Sequence, residues 1–170
     1  IKSANLSKDD VVLEIGPGTG ILTLELAKRA KKVIAVEKDE KMIEILKDVL
    51  KNSGIQNVQI IKGDILKLLT SHFQLPTSFK VVGNIPYYLT SRLLRNLLEL
   101  KKKPKLIVLM VQKEVAQRIC AKPPKMNLLA VSVQFYGKPE IVSYVSKKSF
   151  WPRPKVDSAI IKISEIKRPK

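Results

Sequence analysis

The fold is decided by Val11-Val12-Leu13-Glu14-Ile15-Gly16-Pro17-Gly18-Thr19-Gly20, a short apolar run that passes directly into a loop with three closely spaced glycines. An apolar run bounded by turn residues is typical of a buried strand. Similar runs begin at Val33, Val58, Phe79 and Leu106, and helical patterns lie between them. This alternation predicts an α/β fold, a parallel sheet with helices on both faces.

The last third of the chain is less regular. Leu128 to Tyr136 predicts a helix, and Ile141 to Val145 and Val156 to Ile163 predict two last strands that form an antiparallel edge. The complete expectation is a seven-stranded, mostly parallel, Rossmann-like sheet. Ligands bind beyond the carboxyl ends of the strands in such sheets, which directs attention to the loops at Gly16, Glu37, Asp64, Asn84 and Gln112.

Composition restricts the possible functions. The chain has 170 residues, enough for one domain, and 32 Lys and Arg against 15 Asp and Glu give a net charge of +17. Such an excess predicts a polyanionic partner, most plausibly nucleic acid, although basic residues can also serve only to solvate a surface. A single cysteine fits a reducing, cytoplasmic compartment, and Cys120 with His72 cannot form a metal site. We expect no membrane span and no metal.

The glycine loop is neither of the two common nucleotide motifs. Its spacing is G-x-G-x-G rather than G-x-G-x-x-G, and no Lys-Ser or Lys-Thr pair follows it. Glycines this close let the backbone lie against a flat ligand. The acid-x-G-x-G-x-G pattern resembles the cofactor loop of class I S-adenosylmethionine-dependent methyltransferases.

That resemblance implies a set of cofactor-binding residues. Glu37 would accept hydrogen bonds from the ribose hydroxyls, Asp64 would hold the adenine amino group, and Ile65 would lie against the ring. For Glu37 or Asp64 alone, a helix cap or a solvated acid is the alternative. The full implied set is Glu14, Gly16, Gly18, Gly20, Glu37, Lys38, Asp64, Ile65 and Asn84.

Asn84-Ile85-Pro86-Tyr87 follows the fourth predicted strand. It is either a strand-ending turn with a core tyrosine or a binding site for a planar group that carries an amino group. The motif resembles the Asn/Asp-Pro-Pro-aromatic motif of amino-group methyltransferases. By that resemblance, Asn84 and the Ile85 carbonyl accept the two amino hydrogens, Pro86 fixes the backbone and Tyr87 stacks on the base. These four residues and Phe150 are the predicted catalytic group.

Phe150-Trp151-Pro152-Arg153-Pro154-Lys155-Val156-Asp157-Ser158, together with Val111 to Arg118, resembles the ribosomal RNA adenine dimethyltransferases of the KsgA type over essentially the whole chain. The resemblance makes Phe150 the second aromatic, opposite Tyr87, although a core phenylalanine before a proline turn is the alternative. It also implies that RNA phosphates contact basic residues near the loops, namely Lys113, Arg118, Arg153 and Lys155.

The resemblance implies dimethylation of adjacent adenines at N6 in small-subunit ribosomal RNA during ribosome biogenesis, with S-adenosylmethionine as cofactor and a monomeric enzyme. Residues 1–166 are expected to be the catalytic domain without an N-terminal lid segment, and 167–170 the start of a linker to a helical domain. The alternatives are a large-subunit methyltransferase of the macrolide-resistance type, a DNA adenine methyltransferase, and a non-catalytic RNA-binding assembly or transcription factor.

Overall fold

The computed structural model describes residues 1–71 and 73–167, so His72 and the predicted linker residues 168–170 lie outside it. Within the described residues the chain forms one seven-stranded sheet in the order β3-β2-β1-β4-β5-β7-β6. The strands are β1 (Val11–Ile15), β2 (Lys32–Glu37), β3 (Val58–Lys62), β4 (Lys80–Asn84), β5 (Leu106–Gln112), β6 (Lys138–Val145) and β7 (Ser158–Ser164). Strands β1 to β5 are parallel, and β7 is antiparallel to both of its neighbours. The predicted sheet and its antiparallel edge are confirmed.

Six α-helices connect the strands of the described chain: α1 (Ile21–Ala27), α2 (Glu40–Asn52), α3 (Ile65–Thr70), α4 (Thr90–Glu99), α5 (Lys113–Ile119) and α6 (Leu128–Tyr136). The helix predicted for Leu128 to Tyr136 is confirmed. Helix α4 begins at Thr90, directly after the short turn Tyr87–Leu89, and no side chain caps its first turn. The Thr90 hydroxyl instead donates back to the Tyr87 carbonyl at 3.0 Å.

Helices cover both faces of the sheet, because successive strand residues point to opposite sides. On one side, Leu13 and Ile15 pack with apolar residues of α3, α4, α5 and α6. On the other side, Val12 packs with apolar residues of α1 and α2. The two cores hold the strands rigidly and leave their carboxyl ends free to carry a site.

Lys80, at the start of β4, ties the N-terminal turn to the sheet. Its ammonium donates to the carbonyls of Ala4 and Asn5 at 3.2 and 2.6 Å and to the Asp10 carboxylate at 2.9 Å. Partial burial acts to raise the pKa of Asp10, but the hydrogen bonds from Lys80 and Ser7 outweigh it and hold the pKa below its ordinary value. This contact lies at the amino end of β4, away from the predicted catalytic residues.

None of the helices in the described residues combines the length and the apolar character that crossing a bilayer requires. Nor do residues 1–71 and 73–167 bring together three or more His, Cys, Asp or Glu side chains in an arrangement that could hold a metal ion.

Candidate active site

The carboxyl ends of β1, β2, β3 and β4 surround a cavity of about 730 Å³. Small-molecule sites commonly have volumes of about 300–1,000 Å³, so the cavity could hold a nucleoside-sized ligand. Six residues predicted from the sequence line it: Gly16, Glu37, Lys38, Asp64, Ile65 and Pro86. The parallel topology therefore brings together residues that lie up to 70 positions apart in the chain.

The glycine loop has two distinct parts. Gly16, at φ +67°, donates its N–H to the Val36 carbonyl at 3.0 Å and lies beside the Asn84 carbonyl, at the cavity wall. Gly20, at φ +87°, precedes α1 and is buried against α2, where a Cβ would come within 2.6 Å of Leu46. Gly16 therefore faces the cavity, whereas Gly20 allows α1 and α2 to pack closely.

Glu37, at the end of β2, connects this strand to the glycine loop through its carboxylate. One carboxylate oxygen accepts from the Gly18 N–H at 3.2 Å, and the other accepts from the N–H groups of Lys38 and Asp39 at 2.7 and 3.0 Å. A carboxylate offers about four lone-pair positions. The bonds to the ribose hydroxyls that were predicted for Glu37 would therefore share a carboxylate that already organises the loop.

Asp64 has the helix-capping role as well as a place in the cavity. Its Oδ1 accepts from the Leu66 N–H at 2.9 Å at the start of α3, while Oδ2 lies 3.8 Å from the ammonium of Lys38. Among the described residues, Oδ2 has only this long, partly exposed contact. Ile65 is buried beside it and lines the cavity, so both side chains are available to a ligand.

Glu14 lies directly below the glycine loop and is fully buried. Neither of its carboxylate oxygens, nor the hydroxyl of Thr23, has a hydrogen-bond partner within the described chain. Burial raises the pKa of Glu14 to about 7; the nearby Thr23 hydroxyl opposes this shift and the negative charge of Glu37 adds to it. Glu14 does not line the cavity. Its buried side chain lies behind the glycine loop and does not face the cavity.

Asn84-Ile85-Pro86-Tyr87 lies beside this cavity, next to the wall formed by Gly16. Asn84 ends β4, and its exposed side chain forms no hydrogen bond with residues 1–71 or 73–167. The Ile85 side chain is buried in the core, so only its backbone can reach a ligand. The hydroxyl of half-buried Tyr87 is hydrogen-bonded to that of Ser158 at 2.8 Å. Tyr87 is thus half-buried rather than a core residue, and the short turn Tyr87–Leu89 leaves the Asn84 side chain exposed.

Phe150 reaches the same edge of the sheet from the other end of the chain. The connection between β6 and β7 is held by the Tyr87–Ser158 bond and by the Lys113 N–H, which donates to the Asp157 carbonyl at 3.0 Å. Phe150 is half-buried within this connection. No ring contact joins it to Tyr87 in the described part of the chain, so the pairing of the two rings around a base stays a prediction.

The four predicted RNA-contacting residues are not all neighbours. Arg153 and Lys155 are exposed on the β6–β7 connection, and the Lys113 ammonium lies 5.6 Å from the centre of the Tyr144 ring. Arg118 is exposed in the last turn of α5, about 7–8 Å farther along that helix. Lys113, Arg153 and Lys155 thus lie on or against the β6–β7 connection, and Arg118 lies apart from them.

Among the cavity-lining residues that the sequence interpretation missed are Tyr88, Leu89 and Arg92. Tyr88 is 82% exposed. All three follow the predicted catalytic motif within five residues, and this proximity is the signal that could have found them. Sequence reasoning gives Ser158 no role, whereas the structure places its hydroxyl 2.8 Å from that of Tyr87.

Proteins of known family resemble this chain in sequence and in fold. A sequence model of the family described as Ribosomal RNA adenine dimethylase matches residues 1–170. A protein of Dehalococcoides mccartyi named Ribosomal RNA small subunit methyltransferase A is 49% identical over 166 residues, which are 96% of this chain and 56% of the relative. A Clostridium botulinum protein of the same name is 43% identical over 173 residues, covering 100% of this chain and 62% of the relative. The chain thus spans little more than half the length of such relatives.

Solved structures agree. A dimethyladenosine transferase from Plasmodium falciparum superposes with a TM-score of 0.87 at 37% identity, covering 96% of this chain and 58% of that one. The 23S rRNA methyltransferase ErmE superposes with a TM-score of 0.85 at 34% identity, covering 99% of this chain and 66% of that one. Since the family match extends over all 170 residues, the chain belongs to the ribosomal RNA adenine dimethylase family.

Proposed function

We propose that residues 1–166 form a catalytic domain that transfers methyl groups from S-adenosylmethionine to N6 of adjacent adenines in small-subunit ribosomal RNA. The product is N6,N6-dimethyladenine, formed in the cytoplasm by a monomeric protein during ribosome biogenesis. One observation carries the proposal: Asn84 ends β4 with its backbone carbonyl beside Gly16 of the cavity wall, and its exposed side chain has no hydrogen-bond partner among the described residues. Family membership and the names of the relatives support the substrate.

The residues around the cavity fit the cofactor. The wall at Gly16 carries no side chain, Glu37 and Asp64 offer carboxylate oxygens to ribose and adenine groups, and Ile65 offers an apolar surface to the ring. Lys38 lies at the same rim. When bound, S-adenosylmethionine supplies an electrophilic methyl group on its sulfonium sulfur.

The chain's own contribution is to prepare the adenine amino group. Its nitrogen lone pair is delocalised into the ring and is a poor nucleophile. The Asn84 oxygen and the Ile85 carbonyl would accept its two hydrogens, which favours a pyramidal nitrogen with its lone pair directed outward. Tyr87, held by Ser158, would stack on the base and orient it, and such orientation lowers the barrier to transfer.

Large-subunit ribosomal RNA is the second candidate substrate. The superposition with the 23S rRNA methyltransferase ErmE, at a TM-score of 0.85 and 34% identity, supports it. The small-subunit proposal is favoured because relatives at 49% and 43% identity carry the small-subunit name. A non-catalytic RNA-binding factor is disfavoured by the open Asn84 side chain.

A parallel methylation assay tests the proposal. The protein is incubated with labelled cofactor and, separately, undermethylated small subunits, large-subunit precursors and DNA, followed by nucleoside analysis. The proposal predicts label as N6,N6-dimethyladenosine in small-subunit RNA alone. Label in large-subunit RNA or DNA would refute the substrate, and no transfer by the wild-type protein to any of them would refute the activity.

A further inference from the structure

We propose that Trp151 is a stacking platform for an unpaired RNA base adjacent to the target adenine, an inference that rests on the proposed function of the site. Trp151 is the chain's one tryptophan, and its side chain is 97% exposed. Single apolar side chains on a surface are ordinary. The position of Trp151, the stiffness of its loop and the surrounding charge distinguish it from those.

The position follows from the strand pairing. Val145 at the end of β6 pairs with Ser158 at the start of β7, and Ser158 pairs with Gln112 at the carboxyl end of β5. The connection that carries Trp151 therefore begins and ends at the edge of the sheet that holds the candidate site. The hydrogen bond between Ser158 and Tyr87, at 2.8 Å, ties this connection to the catalytic motif.

The orientation of the indole follows from its exposure. Phe150 has extended dihedral angles, φ −119° and ψ 148°, and is half-buried, whereas the next residue, Trp151, is almost fully exposed. The indole therefore projects from the connection into solvent. If Phe150 covers the target adenine, Trp151 faces outward, where the neighbouring nucleotides of the RNA strand would run.

The loop is also stiff. Pro152 and Pro154 follow Trp151 and restrict the backbone. At its two ends, the Lys147 N–H donates to the Asp157 carboxylate at 2.9 Å, and the Lys147 ammonium reaches the Lys155 carbonyl at 3.4 Å. A platform that is already ordered loses little conformational entropy when a base stacks on it.

Charge identifies the partner. Residues 146–157 contain four basic residues, Lys147, Lys148, Arg153 and Lys155, against one acid. That acid, Asp157, is occupied by the Lys147 backbone, and no salt bridge within the described chain neutralises the four cations. Proteins that bind single-stranded nucleic acid combine basic residues, which contact the phosphate backbone, with exposed aromatic rings on which the bases stack.

The test measures binding of the wild-type protein, Trp151→Ala and Trp151→Phe to an RNA hairpin with two adjacent adenines in its loop. Wild-type tryptophan fluorescence, which comes from Trp151 alone, should be quenched on binding. Trp151→Ala should weaken binding by about 5- to 150-fold, and Trp151→Phe should retain most of the affinity. The thermal midpoint should not change, because the side chain is exposed.

Salt separates stacking from charge. The fold-loss of Trp151→Ala should be similar at low and high salt, whereas the loss caused by the control Arg153→Gln should shrink as salt rises. This inference alone would be overturned by unquenched fluorescence on RNA binding, or by equal RNA affinity of Trp151→Ala and wild type while the wild type methylates the RNA. A loss of affinity that is confined to binding of a protein partner would also overturn it. Absence of methylation of undermethylated small subunits by the wild type would overturn the proposed function instead.

Discussion

Replacing Glu14 by Gln should change how the stability of this protein depends on pH. The carboxyl is fully buried without a hydrogen-bond partner among the described residues, and burial raises its pKa from 4.5 to about 7. Between these values the folded chain keeps the proton that the unfolded chain has released, so the free energy of unfolding falls as pH rises. The shift of about 2.5 pKa units corresponds to about 3.4 kcal/mol in total, of which about 2.5 kcal/mol falls between pH 5 and pH 8.

Urea unfolding of both proteins at intervals from pH 5 to pH 8 measures the effect. The amide of Glu14→Gln does not titrate. The quantity followed with pH is the difference in free energy of unfolding between variant and wild type, so a packing cost that does not depend on pH cancels. That difference should shift by about 2.5 kcal/mol in favour of the variant. Glu44→Gln, an exposed change on α2, should show no such trend. A difference that stays constant for Glu14→Gln would refute the assignment of a buried, proton-retaining carboxyl.

Two further predictions concern the loop and the tyrosine. Gly20→Ala should destabilise the fold by about 2–3 kcal/mol, because φ is +87° and the new methyl group would meet Leu46. Gly54→Ala, at φ +64° in open space, should cost only about 1 kcal/mol; equal losses in urea unfolding would contradict the packing role of Gly20. Tyr87→Phe and Ser158→Ala should each cost about 0.5–1.5 kcal/mol by removing one hydrogen bond. The double variant should cost little more than the larger single change, and additive losses would contradict the bond.

Some features of the glycine loop could be predicted from the sequence and others could not. Its strand, its turn and the cavity position of Gly16 could be predicted, because local apolar and glycine spacing determines them. The role of Gly20 could not, because the pattern does not reveal that Leu46 of α2 lies against it. Likewise, the three backbone N–H groups that already occupy the Glu37 carboxylate come from turn geometry rather than from residue type.

The contact between Tyr87 and Ser158 was beyond sequence reasoning for a topological reason. The two residues are 71 positions apart, and they meet because β7 inserts between β5 and β6. Two last strands were predicted from apolar alternation, but their order in the sheet is set by long-range pairing. That pairing also places the connection carrying Phe150 and Trp151 at the same edge as Asn84.

The proposed role of Asn84 is to prepare an adenine amino group for methyl transfer. A single-turnover assay of Asn84→Ala on undermethylated small subunits tests this role, combined with a cofactor-binding measurement on the same variant. Removing a preorganised polar group from a reacting centre typically lowers the rate by about 100- to 1,000-fold. We expect a loss of at least that size with cofactor affinity nearly unchanged; a wild-type rate of transfer would show that Asn84 has no such role.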